Sequence, residues 1–340
     1  REGIAHDGTH LYPAFPYDHF THATDDDLHA LYAYLMTRDP VRAPNRANDL
    51  RFPFGIRALV AVWNMLYLRN TAFRAEPSRS AEWNRGAYLV QSLGHCGSCH
   101  SPRNALGAEK TGAELAGGEA QGWYAPALND ASPSPLPWTV EHLRAYLRTG
   151  IARDHAIAGG PMQEVVGNLA HASDDDVHAI AVYIESTMGP VTGEREARAS
   201  AALRRAAQGP VANVSVEDQR LGTSGGTASA SAAPAQLGAT VYDDACAACH
   251  DVGRTESSNG ALRLALAVAV YDPDPRSLLR VVRGGIAPLP GQTGRWMPAF
   301  GSTLSDEQLV ALLAYLRAAA AEAPPWPDLP KAVRETKASP

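Results

Sequence analysis

Cys96-Gly97-Ser98-Cys99-His100 decides how this chain is read. Two cysteines separated by two residues and followed at once by histidine form the attachment sequence of a c-type haem. The thiols bond to the haem vinyl groups, a single turn of backbone reaches both, and the histidine is set beneath the iron. A second copy stands 150 residues on, at Cys246-Ala247-Ala248-Cys249-His250, and these four are the only cysteines in the chain. Two Cys-x-x-Cys pairs can also build a zinc site, but that site needs neither this separation nor a histidine after each pair. A thioredoxin-type redox pair belongs in a βαβ pattern, and the sequence shows none.

Histidine is half of an axial ligand set. Low-spin carriers add a methionine on the opposite face, which raises the potential. Three stretches align and supply the candidates: Arg1-Glu2-Gly3-Ile4-Ala5, Arg148-Thr149-Gly150-Ile151-Ala152 and Arg283-Gly284-Gly285-Ile286-Ala287. In the second and third, a methionine followed or preceded by proline lies 11 residues after the isoleucine, at Met162 and Met297. These are the expected sixth ligands of the haems on His100 and His250, since a thioether suits low-spin iron. The same count from Ile4 reaches Phe15, which cannot ligate. His19, four residues on, is the substitute, with His10 and Met36 as weaker choices. Arg103 follows the first motif and is expected to fork onto a haem propionate; Trp123 and Tyr124 are expected at the pocket edge.

Each aligned stretch leads into a capped amphipathic helix. Thr24-x-x-Asp27, Ser173-x-x-Asp176 and Ser305-x-x-Gln308 read as capping boxes. Apolar residues then recur at helical spacing, as at Leu28, Leu31 and Leu35 or Leu309, Leu312, Leu313 and Leu316. Gly86, on the helix before the first motif, and Gly238, before the second, are placed to allow close packing against Tyr183 and Tyr315. The repeat divides the chain. Residues 1–44 read as the C-terminal remnant of a first unit, 45–79 as a linker, 80–192 as a second unit and 236–323 as a third. Residues 193–235, Gly/Ser/Ala-rich from Gly222 to Ala235, read as a flexible linker, and 324–340 as an extended tail.

Composition narrows the function. Net charge is −6 and no basic run occurs, which excludes a nucleic-acid partner. The longest apolar patch, Ile56 to Leu68, is interrupted by Arg57 and Asn64 and falls short of the ~20 residues of a spanning helix. It reads as a short helix packed across the first and second units, with a peripheral membrane contact as the sharper alternative. Covalent haem attachment takes place in the periplasm or an equivalent compartment. The chain opens Arg-Glu-Gly-Ile without an initiator methionine or signal peptide, so it reads as a processed or partial chain.

His10-Leu11-Tyr12-Pro13-Ala14-Phe15-Pro16-Tyr17, Trp83-Asn84-Arg85-Gly86-Ala87-Tyr88-Leu89-Val90, the segment Leu93 to Asn104, and Met297-Pro298-Ala299-Phe300 together resemble the three-haem cytochrome c subunits of bacterial periplasmic dehydrogenases. The Phe-Pro-Tyr-Asp-His-Phe form is similar to the branch serving molybdenum hydroxylases, such as nicotinate, isoquinoline and aldehyde oxidoreductases. Quinoprotein alcohol dehydrogenase cytochromes, the alternative branch, have methionine at the place of Phe15. The resemblance implies an all-α fold of tandem class-I-like cytochrome c domains with long linkers. It also implies two haem c groups in this chain and a third motif ahead of Arg1. The implied role is electron transfer, without catalysis by the chain itself. The donor would be a periplasmic, molybdopterin-containing dehydrogenase and the acceptor quinone or a terminal oxidase. A dihaem peroxidase, the main alternative class, needs an open iron site, which Met162 and Met297 would fill. A haem sensor would not be reduced by a dehydrogenase.

Overall fold

A computed structural model of the chain describes residues 1–44, 49–208, 232–251, 261–288 and 297–337. Helices dominate. The first unit holds α1 (Tyr17–Phe20) and α2 (Asp25–Met36), followed by α3 (Ala58–Tyr67). The second runs through α4 (Ala81–Gln91), α5 (Gly97–His100), β1 (Gly118–Ala120), β2 (Trp123–Ala125), α6 (Val140–Thr149), β3 (Ile151–Ala152), β4 (Ala156–Ile157), α7 (Pro161–Leu169) and α8 (Asp174–Thr187). Helix α9 (Gly193–Gln208) leads to α10 (Ala232–Ala245), α11 (Ala247–His250), α12 (Val268–Tyr271), α13 (Arg276–Gly284) and α14 (Asp306–Ala319), with α15 (Leu329–Lys337) last. The strands make two short antiparallel hairpins, with Gly118 opposite Ala125 and Ile151 opposite Ile157.

Each complete unit is built on one helix crossing, and each crossing needs a glycine. A Cβ on Gly86 of α4 would stand 1.9 Å from the Ala179 carbonyl oxygen of α8 and 2.8 Å from Tyr183 Cβ. On Gly238 of α10 it would stand 2.3 Å from the Ala311 carbonyl oxygen of α14 and 2.6 Å from Tyr315 Cβ. The backbones meet because neither position has a side chain. Around the first crossing, Tyr88, Val90, Leu143, Ile180 and Ile184 form the core of the second unit. Around the other, Tyr242, Leu266, Leu279, Leu309, Leu312 and Leu313 form that of the third. In the first unit, Leu31, Tyr34 and Leu35 on the matching face of α2 are exposed.

The helix starts differ in completeness. Ser305 accepts from Gln308 N at 3.2 Å while Gln308 Oε1 accepts from Ser305 N at 2.9 Å, a reciprocal capping box. Ser173 accepts from Asp176 N at 3.1 Å, but the Asp176 carboxylate is turned onto Arg85 at 2.7 Å. Thr24 accepts from Asp27 N at 3.2 Å, and its own N–H goes to Tyr88 Oη.

Two segments depart from the expectation. Residues 193–208 of the expected flexible linker form α9, which buries Ala202 and Ala206 in the third unit's core. The rest of that linker up to residue 231, with the Gly222 stretch, lies outside the described residues, as does Trp296. The tail is not extended throughout: α15 buries Leu329 and Val333, one helical turn apart, and Trp326 lies buried ahead of it. The Trp326 indole donates to the Asp272 carbonyl at 2.8 Å. Among the described residues no helix is long and apolar enough to cross a membrane.

Candidate haem sites

The two Cys-x-x-Cys-His motifs are built alike. Cys96 leads into the single turn of α5, where His100 N donates to the Cys96 carbonyl at 3.0 Å. In α11, His250 N donates to the Cys246 carbonyl at 3.0 Å. That turn puts both sulfurs and the imidazole on one short stretch of backbone. His100 Nδ1 donates to the Pro126 carbonyl at 2.7 Å, and His250 Nδ1 donates to the Leu262 carbonyl at 2.8 Å. A carbonyl only accepts, so the tautomer is fixed and Nε2 of each ring carries a lone pair for a metal. Burial holds both imidazoles below their ordinary pKa and therefore neutral. Burial also pushes the Cys96 thiol up to about 12 and the Cys246 thiol up to about 11.

In the third unit a cavity of about 690 Å³ opens on this motif. Cys246, Cys249 and His250 line it together with Met297, Pro298, Phe300, Leu278 and Val281. Two thiols, a bare imidazole nitrogen and a thioether around one largely apolar space are the donor set of haem c. Bound there, the haem would supply a one-electron iron couple.

Residues 233–316 match the family described as Cytochrome C oxidase, cbb3-type, subunit III. The whole chain is 43% identical to the B subunit of nicotinate dehydrogenase from Pseudomonas putida, of which it spans 27%. Over 93% of the chain it is 35% identical to the gluconate 2-dehydrogenase cytochrome c subunit of Pantoea cypripedii, covering 70% of that protein. It is 34% identical to the fructose dehydrogenase cytochrome subunit of Gluconobacter japonicus, covering 65%. The chain belongs to the family of dehydrogenase cytochrome c subunits. Its cofactor is haem c.

Within this cytochrome the equal count from isoleucine to methionine conceals two geometries. Ile286 pairs directly with Met297, each N–H donating to the other's carbonyl at 2.9 Å. In the second unit the hairpin closes earlier, at Ile157, and Met162 lies beyond it as the second residue of α7. The first unit closes like the second, with Ile4 opposite His10. The segment around Met162 is pinned on both sides: a Cβ on Gly160 would stand 2.3 Å from Trp123 Cε2, and Gln163 Nε2 donates to the Ala287 carbonyl at 2.9 Å.

Other expected site residues have local partners. Arg103 donates to the Gly107 carbonyl at 2.6 Å and the Ser98 carbonyl at 2.9 Å, so its fork clasps the loop after the motif. Trp123 and Tyr124 stand at the contact between units: Arg280 lies 5.8 Å over the Trp123 ring, and Ser277 Oγ donates to the Tyr124 carbonyl at 2.8 Å. His19, the expected substitute for Phe15, joins the first unit to the second. Its Nδ1 donates to the Gln91 carbonyl at 2.9 Å and its Nε2 faces Glu109 Oε1 at 2.7 Å. Burial alone would lower the His19 pKa; Glu109 reverses the sign and holds it above its ordinary value.

No motif or spacing in the sequence pointed to His155. It is fully buried and stacks on Trp138 with ring centroids 3.9 Å apart. Its ring nitrogens reach Ser134 Oγ at 3.1 Å and His142 Nδ1 at 3.0 Å. Burial, with His142 beside it, pushes its pKa down to about 3. With Ala156 and Ile157 it forms part of the third unit's cavity wall although it belongs to the second unit. Asp154 reinforces that contact through Arg263 at 2.6 Å.

Proposed function

We propose that this cytochrome passes electrons, one at a time, from a periplasmic dehydrogenase through the haems on Cys96/Cys99 and Cys246/Cys249 to quinone or a terminal oxidase. The observation that carries the reading is the third-unit cavity, where both thiols, His250 and Met297 surround one apolar space. Such a site holds iron between two protein ligands and excludes water, which suits transfer of electrons rather than turnover of substrate.

His100 and His250 are the proximal ligands, with Met297 and Met162 opposite them. The two haem groups bind covalently in this chain, and the first unit takes a third when its own motif is supplied. The donor is a molybdopterin-containing dehydrogenase. Its support is the 43% identity to the nicotinate dehydrogenase chain across the whole length of this one, together with Phe15 where the quinoprotein branch has methionine.

The test is stopped-flow reduction of the haem-loaded protein by a nicotinate-oxidising molybdenum hydroxylase, read in the haem absorption bands. Fast, substrate-dependent reduction that passes on to a quinone analogue is expected. Peroxide turnover with a high-spin haem, or no reduction by either a molybdenum or a quinoprotein dehydrogenase, would overturn the relay.

A further inference from the structure

Beside the Cys96–His100 turn, one side-chain cluster joins the first and second units. His19 on α1 reaches the Gln91 carbonyl at the end of α4 with Nδ1, at 2.9 Å, and Glu109 Oε1 with Nε2, at 2.7 Å. Asp18 brings a second carboxylate. The donor atoms of Asp18, His19 and Glu109 all lie within 4.8 Å of one another, and all three side chains are half-buried. The cluster opens on a cavity of about 480 Å³ that His22 and Glu114 also line. His22 is held like His19, by its Nδ1 on the Thr71 carbonyl at 2.6 Å.

The carbonyl of Gln91 only accepts, so the proton on His19 Nδ1 is fixed. Nε2 then either carries a second proton towards Glu109 or presents a lone pair. Anchoring one imidazole nitrogen on a backbone carbonyl is how proteins orient a histidine for a metal on the other nitrogen. One such imidazole with two converging carboxylates is the mixed nitrogen–oxygen set that borderline divalent metals take. A cation there replaces the second imidazole proton, which is released to solvent. Opposing charge is present too: Arg103 Nη2 lies 3.9 Å from Glu109, and Arg69 and Lys110 line the cavity. Arg103 thus competes with a cation for the Glu109 carboxylate.

We infer that Asp18, His19 and Glu109 form a binding site for a divalent transition metal of the zinc type, which clamps the first unit onto the second beside the Cys96–His100 turn. The turn rests on the cluster: a Cβ on Gly97 would stand 3.0 Å from Glu109 Oε2 and 3.0 Å from His19 Cε1. A bound cation therefore ties α1, the end of α4 and the loop after the motif together.

The experiment uses the haem-loaded chain, stripped with chelator and titrated with zinc chloride in a calorimeter. One saturable site is expected, with affinity at least ~10-fold lower in Asp18→Asn and Glu109→Gln and lost in His19→Gln. Zinc should raise the unfolding temperature of the unmodified protein and not of His19→Gln. Haem absorption and circular dichroism report whether each variant folds. X-ray absorption at the zinc edge of the unmodified protein is the independent reading, and it should show one imidazole among oxygen neighbours. Absence of saturable binding, affinity unchanged in all folded variants, or a shell of several imidazoles or sulfur would overturn the assignment.

Discussion

The second and third units start from the same parts and finish their haem sites differently. Both place Cys-x-x-Cys-His on one helical turn and anchor the histidine Nδ1 on a carbonyl. In both, the first cysteine packs against the core built around a glycine-mediated helix crossing. The difference lies at the methionine proposed as the second ligand. Met297 sits in the hairpin itself, paired with Ile286, whereas Met162 sits past its hairpin on α7. A proximal ligand set by covalent chemistry leaves little room for variation. The proposed distal ligand need only reach the iron, and its methionine is carried in two registers.

The most damaging way to probe the shared framework is to fill its glycines. Gly86→Ala forces a methyl to within 1.9 Å of the Ala179 carbonyl oxygen, Gly238→Ala to within 2.3 Å of Ala311. Each should cost about 3 kcal/mol or more, with Gly86→Ala the worse, and denaturant melts read at the haem bands would rank them. Equal melts would break the claim that the crossings are limiting.

Acid separates the units next. His155 is neutral in the fold, with its pKa pushed down to about 3, while in the unfolded chain it protonates near its ordinary value of 6.5. The unfolded state thus binds more protons as pH falls below that value, and stability drops through the window from there to about 3. By pH 5 the loss should reach about 2 kcal/mol, and His155→Gln should remove that slope in melts run at several pH values.

Replacing the distal ligands tests the two registers directly. Met297→Ala should remove the third haem's sulfur-to-iron absorption band and lower its potential by at least ~59 mV, a tenfold change in a one-electron equilibrium. Met162→Ala should do the same for the second haem in spectroelectrochemical titration. A band that survives both substitutions would sink the methionine assignment. The smallest effect belongs to the caps. Ser305→Ala breaks the reciprocal box and should cost about 1 kcal/mol, more than Ser173→Ala, whose partner Asp176 is already engaged by Arg85. Thermal melts of the two variants decide the order.

What was legible in the sequence was local or repeated. The motif names its cofactor because attachment needs two thiols and a histidine within one turn. Gly86 and Gly238 were readable because a missing side chain recurs at one place in two copies. The hairpin registers were not, since a count of residues does not reveal which residue closes the turn. His155 was invisible because its importance comes from Trp138, His142 and Ser134, none of which the repeat singles out. Helix α15 was hidden by the prolines around it, though Leu329 and Val333 carried the helical spacing. The partner of His19 was not legible, because a polar histidine near an expected ligand position gives no hint of Glu109, brought to it from the second unit.

The wall that His155, Ala156 and Ile157 contribute to the neighbouring cavity bears on modularity. A shuffled copy of residues 236–323 would carry its motif and Met297 into a new protein but leave one side of its haem open to water. Solvent at that face changes the potential, so the transplanted piece would keep the colour of the original without its redox setting. The piece that keeps this wall intact is therefore the pair of units, which should be moved together in any engineered transfer.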